Sequence, residues 1–297
     1  MQPPVSLDSC LELIESIKDY RVLFVGENIQ DEYHYVIPLG KSPKEYLIPV
    51  KYESEEIFHG GVHAAANHLR SFCKTVDVLT NPEPIRKVRM VQKGIEGKYI
   101  KKLFEVHYQE DQYFHNGHIE DGYDVVIVTD FGHGWITNEM IARLVKSPFL
   151  AVCTQTNASN IGFNLITKYP KADYIVIDEP EARLADHNKD GYIENVMDAL
   201  SQGRCSKMIV THGKHGAYGY QNRWFFRQPS LSEHVLDTMG AGDAFFSVTA
   251  PMAKTGDVRD LLLIGCAAGA LKCGIIGNRE SVTKEHLIEF LKAHVPN

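Results

Sequence analysis

Five short apolar runs recur along this chain, at residues 22–25, 125–128, 151–153, 174–177 and 208–210. Each is short for a helix and too continuously apolar for a strand with one wet face. Such runs fit strands buried on both faces, as in parallel sheets. Around them lie stretches with helical spacing, at 62–72, 137–145, 193–200, 241–254, 258–273 and 283–293. An earlier one spans 6–18, where Cys10, Leu11, Leu13, Ile14 and Ile17 form the stripe and Ser6 is the cap. Strands alternating with helices predict an α/β fold with a doubly wound, mostly parallel sheet flanked by helices. The 297 residues read as a single domain over 1–297. Pro251 predicts a kink or an early end within 241–254.

Two regions break the alternation. Residues 33–58 and 85–109 are rich in Tyr, Val, Ile, Lys and Glu, and Lys102-Leu103-Phe104-Glu105-Val106-His107 alternates as a strand does. On pattern alone they are edge hairpins. Trp224-Phe225-Phe226 with Tyr218 and Tyr220 reads as a hairpin packing its own face rather than as a base-stacking platform.

Open α/β sheets bind ligands beyond the carboxyl ends of their strands. Gly26-Glu27-Asn28 with Asp31 follows the first run and Asp130 the second. Asp178, Glu179 and Glu181 follow the fourth, and Thr211 to Gly213 the fifth. Any one of these would serve equally as a helix cap. Their gathering at one edge is the functional signal.

The most specific stretch is Leu236-Asp237-Thr238-Met239-Gly240-Ala241-Gly242-Asp243-Ala244-Phe245-Phe246. It sets a Gly-Ala-Gly turn at the start of an apolar helix, with a carboxylate just inside. Free N–H groups at a helix start attract anions, and glycines let a phosphate approach the backbone. Asp243 stands where a general base takes a proton from an attacking hydroxyl. This is the minimum equipment for moving a phosphoryl group onto an alcohol; a Gly-rich turn capped by Asp is the plain alternative. No GxxxxGK[ST] occurs, and Phe245 occupies the third glycine position of a dinucleotide fingerprint.

Several classes are disfavoured. A net charge of −7 and a pI near 6.1 argue against nucleic acid as a partner. No apolar run approaches ~18 residues, so no membrane helix is expected. Met1-Gln2-Pro3-Pro4-Val5 lacks a signal-peptide pattern, and six scattered cysteines without a CxxC pair suggest a cytoplasmic protein. Asp186 to Glu194 begins like a calcium loop, but Met197 takes the place of its bidentate Glu. The pairs His59/His63 and His212/His215 have no third ligand near in sequence.

Asp237-Thr238-Met239-Gly240-Ala241-Gly242-Asp243 resembles the DTxGAGD signature of the ribokinase-like (PfkB) carbohydrate kinases. The resemblance covers nearly the whole chain. Residues 22–28 with Asp31 resemble that family's first strand and substrate-binding acid. His59-Gly60-Gly61-Val62-His63-Ala64-Ala65-Ala66-Asn67 resembles its second signature, and Thr129-Asp130-Phe131-Gly132-His133-Gly134 and Thr211-His212-Gly213-Lys214-His215-Gly216 fall at its strand-end loops. Gly40-Lys41-Ser42-Pro43-Lys44-Glu45 is similar to a loop of the heptose phosphate kinases, including those fused to cytidylyltransferases. The resemblance implies a ribokinase-like fold in which 33–58 and 85–109 form a small β lid, through which a homodimer would assemble. It implies ATP and Mg2+ as cofactors, room for a monovalent cation, and a sugar or sugar phosphate as acceptor. Asp243 would be the base, with Gly240, Ala241 and Gly242 shaping the catalytic turn. Asp31, Gly60 and Gly61 would hold sugar hydroxyls. Ala64 stands where many relatives have a sugar-binding Asn, and Asn67 follows one turn later. Thr211, Gly213 and Gly216, with Asp178, would line the nucleotide side, and Glu181 would organise magnesium through water. Two departures stand out: Asp178 replaces an Asn, and only Asn81-Pro82-Glu83 stands where the family carries a further helix and strand. A silent sugar- or nucleotide-binding homologue and a nucleoside kinase are the alternatives.

Overall fold

The computed structural model describes residues 5–94, 100–108 and 119–295. Helix α1 (Leu7–Ser16) leads into β1 (Arg21–Gly26), followed by β2 (Asn28–Pro38), β3 (Val50–Gly60), α2 (Gly61–Asn67), β4 (Thr75–Leu79), β5 (Ile85–Lys93) and β6 (Ile100–Tyr108). Then come β7 (Val125–Asp130), α3 (Asn138–Leu144), β8 (Leu150–Thr154), β9 (Tyr174–Asp178), α4 (Glu179–Ala185), α5 (Ile193–Ser201) and β10 (Lys207–Thr211). The hairpin β11 (Ala217–Gln221) and β12 (Trp224–Gln228) precedes α6 (Ala241–Met252), α7 (Val258–Cys273) and α8 (Lys284–His294).

The five apolar runs are neighbouring parallel strands. The main sheet runs β12-β11-β10-β9-β8-β7-β1-β4, parallel from β10 to β4 with the hairpin antiparallel at one edge. Every residue of β7 and β8 is buried, because helices cover both faces. Along β1, Val22 and Phe24 join a core with α1, α2, α6, α7 and α8, whereas Leu23 and Val25 join one with α3, α4 and α5. The β11–β12 turn places Asn222 and Arg223 at φ 52° and 67°, as a two-residue hairpin turn requires, and Tyr220 packs on Phe225 with ring centroids 5.2 Å apart.

The two irregular regions form one sheet, β3-β2-β5-β6, rather than separate edge hairpins. Parallel pairing of β2 with β5 joins them, which covers edges that two hairpins would leave open. Residues 95–99 and 109 of the expected lid lie outside the described residues. The register aligns Asp31, Lys87 and His107 in one row and Tyr33, Arg89 and Glu105 in the row two residues on. The short connection from β4 to β5 is anchored by buried Asn81, whose Oδ1 accepts Asn28 N–H at 2.8 Å and whose Nδ2 donates to the Glu83 carbonyl at 2.5 Å.

Two helices end earlier than their apolar spacing, the second as Pro251 predicts. The helix expected over 62–72 ends at Asn67 and continues as turns. Helix α6 ends one residue after Pro251. The acidic run after β9 opens α4 through a capping box, in which Asp178 accepts Glu181 N–H and Glu181 accepts Asp178 N–H.

Candidate active site

The main sheet's carboxyl edge and the inner face of the lid meet at the start of α6. Gly240 caps this helix in the left-handed region, at φ 76°. A Cβ there would stand 3.1 Å from Lys272 Cε, so both conformation and space require glycine. Ala241 N–H makes only a 3.4 Å contact to the Thr238 carbonyl, and the N–H groups of Gly242 and Asp243 fall in the first turn, where the helix supplies no acceptor. Gly242 differs from Gly240: nothing lies within 4 Å of where its Cβ would be, and it borders a cleft of about 520 Å³. That space is open to a ligand.

Asp243 is the acid just inside this turn, and the Gln155 side-chain amide donates to its Oδ1. Burial pushes its pKa up to about 6, with Asp31 pushing the same way; Gln155, Lys272 and Lys87 oppose the rise. A carboxylate poised there is ionised at neutral pH and still basic enough to accept a hydroxyl proton.

On the lid side, buried Asp31 pairs with Arg89, which also holds Glu105 at 3.0 Å. A Cβ on Gly60 would overlap the Asp31 carboxylate, so that glycine makes room for the acid. Gly61 follows at φ 56°, where a Cβ would overlap the Glu27 carbonyl, which accepts the Val62 N–H at 3.0 Å. Lys87 is 7 % exposed and makes no hydrogen bond or close ion pair among the described residues. Burial lowers the Lys87 pKa and the nearby Arg89 charge adds to the fall, while Asp31, Glu105 and Glu27 oppose it. Beneath it, fully buried Glu27 accepts the N–H groups of Phe131 and His133 at 3.0 and 3.1 Å and so shapes the Thr129–Gly134 loop. Asp130 is consumed by Lys168 and the Tyr169 hydroxyl, both at 2.6 Å.

On the other side of Asp243, the cleft is lined by Asp178, Thr211, Gly213 and Gly216 together with Ala241 and Gly242. Phe245, Val235 and Ala270 give it an apolar wall. The structure therefore gathers the residues expected on the nucleotide side at one opening. Buried Glu181 accepts Thr156 N–H at 2.6 Å and Asp178 N–H at 2.9 Å. Burial raises its pKa, and repulsion from Asp178 and Asp243 adds to the rise. An acid pushed up by acidic neighbours in this way fits a hydrated divalent cation, which would relieve the repulsion. Glu181 and Asp178 would hold magnesium through its waters, and the ion would neutralise charge on a bound polyphosphate.

One expected residue lies elsewhere. Asn67 is exposed at the end of α2, where its Oδ1 accepts Arg70 Nε–H at 2.9 Å. Its side chain is taken by Arg70 at the exposed end of the helix and is not among the residues that line the cleft. Two residues absent from the sequence reading take important positions instead: Gln155 on Asp243, and Lys272 under Gly240. Gln155 lies just beyond β8, a strand end like the others, and Lys272 is a lone charge in the apolar stretch 261–273.

Among known families, the model of the "pfkB family carbohydrate kinase" matches residues 163–285. The chain is 29 % identical over 157 residues to a probable chloroplastic fructokinase-6 of Arabidopsis thaliana, a match covering 50 % of this chain and 41 % of that one. It is 21 % identical over 201 residues to the bifunctional protein HldE of Helicobacter hepaticus, covering 63 % and 40 %. These matches span about two-fifths of the relatives' lengths. The solved ribokinase of Arabidopsis thaliana, complexed with ribose and ATP, superposes with a TM-score of 0.68 at 14 % identity, over 92 % of this chain and 99 % of that one. The fold is ribokinase-like. Among the described residues no helix is long and apolar enough to cross a membrane.

Proposed function

We propose, from the ribokinase-like fold and the pfkB-family segment at residues 163–285, that this chain is a carbohydrate kinase that uses Mg-ATP to phosphorylate a hydroxyl of a sugar or sugar phosphate. The observation that carries the reading is Asp243, held by Gln155 beside an open Gly-Ala-Gly turn that borders the cleft. The acceptor lies under the lid near Asp31, and the nucleotide lies in the cleft by Thr211, Gly213 and Gly216. Asp243 takes the acceptor's hydroxyl proton. That oxygen bonds to the γ-phosphorus as the bond to ADP breaks, and the electron pair leaves on ADP. The amides of Ala241, Gly242 and Asp243 receive charge on the transferring oxygens, where preorganised donors act most strongly.

The pH profile follows from the base. Activity needs the ionised carboxylate, so kcat/KM falls as pH drops through about 6. The Gln155 amide stabilises that ionised form. Gln155→Leu is expected to move the acid limb to higher pH. Equal acid limbs in both proteins would assign the limb to another group.

The acceptor we infer carries an anionic group, in keeping with the Gly40–Glu45 loop's likeness to heptose phosphate kinases. Among the basic residues around the lid, Lys44 is exposed, Lys41 lies over the Tyr46 ring, and Arg89 is engaged by Asp31 and Glu105. Buried Lys87 makes no hydrogen bond or close ion pair among the described residues, and a charge-assisted contact from it to phosphate is worth about 1.5–3 kcal/mol, roughly tenfold to a hundredfold. ATP consumption across matched sugars and sugar phosphates, heptoses included, tests both levels of the reading. The phosphorylated partner is expected to show the higher kcat/KM, and Lys87→Met to erase the difference. Equal values within every pair would favour a neutral sugar or a nucleoside. ADP binding without turnover on any acceptor would favour a silent homologue, a reading to which the short Asn81-Pro82-Glu83 connection lends support.

A further inference from the structure

Lys272 is a fully buried lysine, at 0 % exposure, which the proposed proton transfer leaves unused. It stands in the last turn of α7, where the helix's free carbonyls favour a cation. Its ammonium donates to the Met239 carbonyl at 3.0 Å and to the Gly277 carbonyl at 2.6 Å. Asp237 holds the same two loops from the other side, accepting Met239 N–H at 3.1 Å and Gly277 N–H at 3.0 Å. The two loops thus share a cation at their carbonyls and an anion at their amides. A Cβ on Gly240 would lie 3.6 Å from Lys272 Nζ, which puts the ammonium directly beneath the turn.

Backbone carbonyls with a carboxylate behind them form an oxygen cradle of the kind that takes a hard cation. A dissolved monovalent ion would have to displace the lysine from these oxygens. The ammonium is tethered, so it forms the same contacts without the entropy cost of capturing an ion. A buried ammonium is costly unless its donors are met, and here two carbonyls meet two of its three N–H groups. The residues present therefore do not fit a monovalent cation at this place.

We propose that Lys272 is a built-in cation beneath the Gly240–Gly242 turn, which fixes the Met239 and Gly277 carbonyls and makes a dissolved monovalent cation unnecessary for nucleotide binding. Lys272 is a positioning residue; it acts through the turn. The nucleotide part of this proposal rests on the kinase reading, whereas the cradle itself does not.

The test replaces KCl by N-methylglucamine chloride at constant ionic strength and follows both melting temperature and ADP affinity. The unaltered protein is expected to show no change in either. Lys272→Met keeps an unbranched stem and empties the cradle. It is expected to bind ADP about tenfold more weakly or worse, as the turn loses the charge-assisted contacts that fix its carbonyls. KCl, NH4Cl or methylammonium chloride should restore its affinity and raise its melting temperature, and N-methylglucamine, being too large, should not. Potassium-dependent ADP affinity or melting in the unaltered protein would overturn the proposal, as would a Lys272→Met protein with unaltered affinity and no response to ions. If Lys272→Met does not fold, the ion exchange on the unaltered protein decides alone. Failure of the kinase reading looks different: ADP does not bind, yet the melting temperatures still report whether small cations stabilise only the variant.

Discussion

Asp243→Asn is expected to lower turnover by roughly 10²–10⁴-fold while the protein melts where the parent does. The asparagine is nearly isosteric, and its side chain can still meet the Gln155 amide that Asp243 accepts. Burial pushes the Asp243 carboxyl up to about 6, so the fold bears the cost of holding that charge at neutral pH. A neutral isostere removes the cost together with the base. The loss should fall on kcat, because the carboxylate is needed when the proton moves and less when the acceptor binds. Turnover close to the parent's, with a verified acceptor, would remove Asp243 from the reaction. A large fall in melting temperature would instead make the residue part of the fold.

Gly242→Val is expected to reduce kcat/KM by roughly 10²-fold or more, the scale of losing one preorganised anion donor. Its melting temperature should move little. The structure leaves open space where the new Cβ would stand, and that space is the cleft a phosphate would enter. Gly240→Val should behave in the opposite way. At φ 76°, with Lys272 Cε 3.1 Å from the new Cβ, it strains the backbone and pushes on a buried lysine. Strain of this kind costs about 1–3 kcal/mol before the clash is counted. Two glycines separated by one residue would then divide cleanly into one that serves the ligand and one that serves the fold. If Gly242→Val melts as early as Gly240→Val, both are structural and the turn is not an anion site. Full activity in folded Gly242→Val would equally remove the phosphate from this turn.

Much of the architecture was legible because it depends on near neighbours in sequence. A strand buried on both faces must be apolar at every position, and 125–128 and 174–177 say so in a few letters. The start of α6 was readable for the same reason: two glycines and an acid at a helix start act through backbone amides a few residues away. The hairpin around Asn222 and Arg223 is equally local. The lid was visible as alternating residues, but not as one sheet, since parallel pairing of β2 with β5 joins segments some fifty residues apart.

The state of each site residue was settled only by tertiary packing. Asp31 was legible as an acid after the first strand, yet its pairing with Arg89 comes from strand register across the lid. Asn67 stood one turn beyond Ala64, and at the exposed end of the short α2 it meets Arg70. Asp243 meets Gln155, which is 88 residues earlier in the chain, and its shifted acidity follows from that contact and from burial. Lys272 is a single basic letter in the apolar stretch 261–273; only the fold puts the Met239 and Gly277 carbonyls around it. By itself the sequence determined which groups could carry the chemistry and which backbone elements hold them, because propensity, capping and burial period act over a few residues. The tertiary structure decided which of those groups are paired, which are open to a ligand and which charge lies beneath the turn, because electrostatics and hydrogen bonding depend on what long-range topology places within a few ångströms.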